Sequence, residues 1–357
     1  MNLTRLGERG FIDHVRRRLG TLAPPPPAGI GDDAALLPGA RTASLISTDC
    51  LVEQQHFLRN DPPFLLGRKA LAVNLSDIAA MGGTPESFLL TLAVPSGLPA
   101  GFLDQFLDGI RSSAREHGVK LLGGDTSASP GPFVVSITIL GTAAGPRGRP
   151  ALLRAGARVG DGIYLSGALG GSATGRRLLA AGWRPRLTRN RRIARAIPPA
   201  RLRLPADRRM RLITRAAEAL RLHLDPSPRL ALGGALLTGR LASSAIDVSD
   251  GLSIDLSRLT EASGVGARVM APAIPVADAA RALAPVLGED PLRLALHGGE
   301  DYELLFTAPA SALGRLSRLD VVLIGRITHL RQGLGMEDAR GRPHALPPSG
   351  FDHFRSR

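Results

Sequence analysis

Carboxylates recur along this chain at the ends of apolar runs. They stand in "GDDAA" (Asp32, Asp33), "STD" (Asp49), "NLSD" (Asp77), "GGDT" (Asp125), "DVSDG" (Asp247, Asp250) and "GGED" (Glu300, Asp301). Most lie beside Gly, Ser or Thr, where backbone can approach a ligand and the acid need not face open water. One such motif is ordinary turn chemistry. Six or seven converging in one fold would concentrate negative charge, and divalent cations would then be needed to offset the repulsion. Mg²⁺ suits this set, because it takes hard oxygen ligands and bridges protein carboxylates to substrate phosphates. A lone cysteine, Cys50, and scattered histidines offer no soft-metal site.

If Mg²⁺ carries nucleotide phosphates, the familiar phosphate loops are missing. No Gly-Lys-Ser/Thr occurs, since Lys69 follows Arg68 and Lys120 follows Val119, and the protein-kinase motif set is absent. Gly29, Gly31 and Ala34 fit a dinucleotide turn, but "APPPPA" precedes them instead of a strand, and Asp32 and Asp33 would oppose a pyrophosphate. A phosphoryl-transfer enzyme built this way relies on carboxylate-bound metals, arginines and glycine-rich backbone.

The elements that must position these acids are mixed α and β. Residues 43–52, "ASLISTDCLV", and 133–143 read as β-branched strands. In "GRKALAVNLSDIAAMGG" the apolar Leu71, Leu75, Ile78 and Ala79 recur at helical spacing, leaving Asn74 and Asp77 on another face, and Gly82 and Gly83 end the helix. Residues 102–117 form a second amphipathic helix, and "GVKLLGGDTS" reads as a strand entering a glycine-rich loop. "GIYLSGALGGSATGRRLLAAG" reads as strand, glycine turn and helix, whose first N–H groups suit an anion. Asp250 and Gly251 open a further helix, and "LALHGGEDYELLFTA" is a glycine turn before a strand. Composition shifts to Gly, Pro and Arg near 144–160, which divides the chain into domains 1–148 and 149–357.

At 357 residues with 44% hydrophobic content, the chain can bury substantial cores. One cysteine suits a reducing compartment, and no export h-region or 18-residue apolar run appears, so a cytoplasmic protein without membrane spans is expected. Cys50 itself reads as a small buried residue. Net charge is +14, with only two lysines and 43 arginines. Fifteen arginines fall between Arg176 and Arg221 beside two acids, Asp207 and Glu218. With one aromatic, Trp183, this stretch lacks stacking platforms for single strands, so residues 184–222 read as a solvated, partly helical insertion and nucleic acid as an unfavoured partner.

The order and wording of "GIGDDAALL", "STDCLVEQQHF", "KALAVNLSDIAAMGGTPE", "LLGGDTS", "SAIDVSDGLSIDL", "LHGGEDYELLFT" and "GFDHF" resemble the thiamine-monophosphate kinases, within the aminoimidazole-ribonucleotide-synthetase-like superfamily. The resemblance spans nearly the whole chain outside 184–222. It implies that Asp33, Ser47, Thr48, Asp49, Asp77, Asp125, Asp247 and Asp250 hold Mg²⁺. Gly124, Asp125, Arg154 and Ser249 would contact ATP, with Asp125, Asp250 and Arg154 closest to the transfer. His56, Glu300 and Phe351 would line a thiamine-phosphate pocket, although Glu53, Gln54 and Gln55 depart from the smaller residues usual before that histidine. The implied fold is two α/β domains whose N-terminal sheets pair in a homodimer, and the implied reaction makes thiamine diphosphate and ADP from thiamine monophosphate and ATP. An aminoimidazole-ribonucleotide synthetase is the competing enzyme reading. A non-catalytic arginine-rich nucleic-acid binder would account for the charge but not for the aspartates.

Overall fold

Alternation of apolar and polar residues builds the first sheet. In the computed structural model, which describes residues 3–19, 30–37, 42–146, 149–202 and 205–351, its strands are β1 (Ala35–Leu37), β2 (Ala43–Val52), β3 (Thr84–Pro95), β4 (Lys120–Ser129) and β5 (Val134–Ala143). The order is β1-β2-β5-β3-β4, antiparallel except for the parallel β3–β4 pair. β2 has the bounds read from sequence. Leu45, Ser47, Asp49 and Leu51 point to its inner face, and Thr48 and Cys50 to the outer one. Because β1 pairs only with Ser44–Ile46, residues 47–52 of β2 form an edge with no neighbouring strand on that side among the described residues.

That inner face packs on helix α2 (Pro63–Ala80), which follows α1 (Leu3–Leu19) and is buried on nearly every side. α2 begins with Pro63, where a missing N–H costs nothing, and ends before Gly82 at φ +69°. It crosses α3 (Ala100–His117) at Gly67 and Gly109. A methyl group on either would overlap the other helix's backbone, so no larger residue fits this crossing.

The second half holds β6 (Gly162–Leu165), a hairpin of β7 (Arg184–Leu187) and β8 (Ile193–Ile197), then β9 (Ser244–Asp247), β10 (Gly266–Met270), β11 (Leu304–Ala308), β12 (Val322–Thr328), β13 (Leu334–Glu337) and β14 (Pro343–Ala345). Its main sheet runs β14-β13-β10-β12-β6-β11-β9. Around it lie α4 (Gly171–Ala180), α5 (Arg209–Leu224), α6 (Leu230–Thr238), α7 (Leu252–Ser263), α8 (Asp278–Leu283) and α9 (Pro291–His297). Each large sheet draws its strands from one half of the chain, yet the first apolar core is continuous between them, joining Leu71, Leu75 and Ile78 of α2 to Leu236, Ala245, Leu304 and Phe306.

The fold departs from the sequence pattern in two places. Residues 184–222 are not a solvated insertion: Leu212, Ile213, Ala216, Ala219 and Leu220 of α5 pack into a core with Trp183, Leu178, Leu179 and Leu283. Their helical spacing was masked by the arginines on the opposite face. "LLGGDTS" is not a strand entering a loop either, because parallel pairing of Leu89–Pro95 with Gly123–Ser129 carries β4 through both glycines. Gly29 and the four prolines lie outside the described residues. Among the described residues, no helix is long and apolar enough to cross a membrane.

Candidate active site

The turn before β1, the inner face of β2, helix α2 and the end of β9 converge. They bring carboxylate oxygens of Asp33, Asp77 and Asp247 within 4.8 Å of one another. Among the described residues each acid has one donor: Ser47 Oγ to Asp77 at 2.5 Å, Ser76 Oγ to Asp247 at 2.6 Å, and Arg154 to Asp33 Oδ1 at 2.6 Å. Asp33 Oδ2 is buried with no hydrogen-bond partner among the described residues. Asp32, its neighbour in sequence, instead accepts the N–H groups of Arg154 and Asp33, at 3.1 and 3.2 Å, and shapes the turn.

Burial, then repulsion from neighbouring acids, lifts the Asp77 and Asp247 carboxyls well above the usual aspartate range. The same causes raise Asp49 to about 6, with Asp250 and Asp33 as the repelling charges, and burial with Asp33 raises Asp32 to about 7. Burial of Arg154 favours loss of its proton, but Asp33 and Asp32 outweigh that and hold its pKa above the ordinary arginine value. Three hard oxygen donors, one unpartnered buried oxygen and uncompensated charge fit a divalent cation such as Mg²⁺.

Asp77 and Asp247 open onto a cleft of about 560 Å³ at the free edge of β2. Asp49, Ser249 and Asp250 line it together with His56, Glu300 and Phe351, residues from distant parts of the chain. Asp250 is tied to Arg258 at 2.6 Å, and buried Asp255 accepts the N–H groups of Asp250 and Gly251, fixing that loop. His56 Nδ1 accepts the Val52 N–H at 2.9 Å, and its ring centroid lies 6.1 Å from that of Phe351. Lys69 Nζ donates to Glu300 at 2.7 Å. Burial would raise the Glu300 carboxyl, but Lys69, His223 and Arg176 bring it down to about 2.

Several placements differ from the sequence reading. Cys50 is exposed and borders the cleft, because strand alternation turns it away from Asp49's face. The α4 N-terminus already has its anion: Asp301 accepts the Gly170 and Ser172 N–H groups at 2.8 and 3.1 Å. Gly124 and Asp125 do not join the other acids within this chain. The register Cys50–Ser136–Thr91–Asp125 puts Asp125 three strands from β2, roughly 14 Å away at normal strand spacing, on the outer face with Thr48. Thr48 itself turns its hydroxyl to the Ile137 carbonyl at 3.1 Å while bordering the cleft. Residues 352–354 of "GFDHF" lie outside the described residues. Sequence reasoning passed over Asp255, Lys69, His223 and Arg176, whose guanidinium lies 5.7 Å from the Phe351 ring centre. Lys69 carried a signal, being a charge two helical turns before Ser76 in an apolar helix.

Residues 31–143 match the family described as AIR synthase related protein, N-terminal domain. Thiamine-monophosphate kinase of Escherichia coli (strain K12) is 41% identical over 337 residues, 91% of each chain. The chain belongs to the thiamine-monophosphate kinase family. The family's Aquifex aeolicus member is 30% identical over 354 residues, spanning 99% of this chain and 100% of that one. A solved structure of AaThiL complexed with AMPPCP and TMP superposes with a TM-score of 0.80 at 29% identity, covering 99% of both chains. The fold and site therefore sit in a family of kinases.

The charge cluster predicts a linkage. The folded pKa of Asp49, about 6, exceeds its ordinary 3.8, so its contribution to stability is full below about pH 4 and is lost as pH rises through 6. Metal-free protein should thus lose thermal stability from pH 5 to 8. Saturating Mg²⁺ should restore it by about 2 to 3 kcal/mol at a hundredfold excess over Kd. Asp77→Asn should match or exceed the wild-type midpoint without metal and lose most of the Mg²⁺ increment. Thermal melts with EDTA and with Mg²⁺ check this, and an unchanged increment in Asp77→Asn would contradict the cluster's role.

Proposed function

We propose that the protein transfers the γ-phosphoryl group of ATP to thiamine monophosphate, giving thiamine diphosphate and ADP, with Mg²⁺ as the required cation. The observation that carries this is a single cleft joining the buried carboxylate cluster to an aromatic and polar wall of Phe351, His56 and Glu300. The nucleotide analogue and TMP named for the related AaThiL complex agree with it. Asp33, Asp77 and Asp247 would hold Mg²⁺, with Ser47, Asp49 and Asp250 beside them. When bound, the ion supplies charge that offsets repulsion between the phosphates.

The chain's own residues have a limited chemical task. A phosphate monoester is largely dianionic at neutral pH, so its oxygen can attack the γ-phosphorus as the bond to ADP breaks, without a general base. His56 fits that scheme: with Nδ1 accepting from Val52, the neutral ring carries its proton on Nε2 and acts as a donor. Arg154, held protonated by Asp33 and Asp32, offers fixed positive charge beside the cluster, and with Ser249 it is our candidate for ATP contact.

The distant Asp125 points to a second copy. β4 is the outer strand of its sheet, exposed along most of its length, with Leu121 and Leu122 at 54% and 64% exposure. We infer a homodimer in which the first sheets pair, residues 1–148 supply the dimer core, and Gly124 and Asp125 of one copy complete the site of the other. An exposed free thiol at Cys50 agrees with a reducing, cytoplasmic setting.

Incubation with ATP, Mg²⁺ and thiamine monophosphate should yield thiamine diphosphate and ADP in equal amounts. ADP without the diphosphate product would overturn the assignment. Phe351→Ala should raise KM for thiamine monophosphate roughly 5- to 150-fold, the worth of lost ring stacking, with little change in KM for ATP. Equal effects on both substrates would make the terminal segment structural. Asp77→Asn and Asp125→Asn should each be inactive alone, whereas heterodimers purified after coexpression should regain about half the wild-type turnover through one intact shared site. No recovery would contradict a site shared between copies.

A further inference from the structure

Glu300 faces the cleft, and each of its oxygens has a buried basic side chain beside it. Lys69, only 2% exposed, donates to Oε1 at 2.7 Å. His223 Nδ1 lies 3.4 Å from Oε2 and 3.1 Å from Ser172 Oγ. Burial, reinforced by Lys69, pushes the His223 imidazole down to about 3, so the ring is neutral. Glu300 has φ +57°, an unfavourable conformation for a residue with a side chain, and its N–H donates to the Ser249 carbonyl at 2.7 Å. The fold therefore fixes this carboxylate in position and direction.

The Lys69 ammonium also cancels its charge, and Arg176 adds a further positive group to the same cleft. A carboxylate neutralised at 2.7 Å gives a ring cation little net attraction. Each oxygen nevertheless keeps an unused lone pair for an N–H donor. We propose that Lys69 and His223 hold Glu300 as a directed hydrogen-bond acceptor for the exocyclic amino group of the substrate's pyrimidine ring, not as a counter-ion to its thiazolium. This rests on the thiamine-phosphate reading above. Glu300 touches the substrate, and Lys69 and His223 are positioning residues that act through it. Replacing the amino group by a carbonyl sets two acceptors against each other in a buried place, which a site built for the donor rejects strongly.

The test compares kcat/KM for thiamine monophosphate and oxythiamine monophosphate, the 4-oxo analogue, at fixed Mg²⁺ and ATP. Wild type should favour the amino substrate by roughly 100-fold or more. In Glu300→Gln the amide oxygen stays with Lys69 and the NH₂ group faces the ligand, so the preference should fall to about 10-fold or less, mainly through KM. Lys69→Met should erode the preference likewise, and Lys69→Arg should restore it. If Lys69→Met fails to fold, the double variant Lys69→Met with Glu300→Gln removes both buried charges together and should show the same low preference. A merely structural ion pair would lower stability in these variants and leave the preference at its wild-type value, which would overturn the proposal. So would wild-type indifference to the two substrates. Absence of any diphosphate product from wild type would overturn the substrate assignment and this proposal with it.

Discussion

Three carboxylates held within 4.8 Å, largely out of water, are the interaction around which the rest of the site is arranged. Like charges in such a place repel and are poorly solvated, so each must be matched by a donor, a proton or a cation. Among the described residues, Ser47, Ser76 and Arg154 supply one donor per acid and Asp33 Oδ2 stays unmatched. Asp33 and Asp77 come from the first half of the chain and Asp247 from the second. The site exists only once both sheets have packed on α2.

α2 is the platform that makes this possible. Its buried residues are apolar except for Lys69, Asn74 and Ser76, and these with half-buried Asp77 reach three separate parts of the fold: the Glu300 loop, β9 and β2. Lys69 reaches Glu300, Asn74 accepts the Asp49 N–H, Ser76 donates to Asp247, and Asp77 accepts from Ser47. A misplaced helix would leave several buried polar groups unsatisfied at once, so the hydrogen bonds fix its rotation as the apolar contacts fix its depth. Gly67 and Gly109 add a third restraint by letting the α3 backbone lie directly against it.

Local chemistry was legible in the sequence where it was strong. β2 alternates, α2 is periodic, and the acids beside Gly, Ser and Thr announced themselves by type and spacing. What sequence could not show was pairing across long separations. Lys69 looks like an ordinary helix lysine until its partner, 231 residues away, is brought beside it. The glycines of β4 read as a loop, since nothing local reveals that β3 will pair with them. In α5 the arginines dominate the count, while a stripe at 212, 216, 219 and 220 decides the packing. Alternation explains both Cys50 and Asp125: residues adjacent to a motif in sequence lie on the opposite face of a strand, or at the far edge of its sheet.

The fold holds its acids at raised pKa, so a divalent cation must displace their protons. Calorimetric titration of Mg²⁺ into the metal-free protein, repeated in two buffers of different ionisation enthalpy, counts those protons directly. Saturable binding should release about one proton or more near pH 6 and fewer as pH rises, as expected when ligands must deprotonate. Binding that releases no protons between pH 5 and 8, or no saturable binding at all, would rule out this coupling of metal to protons.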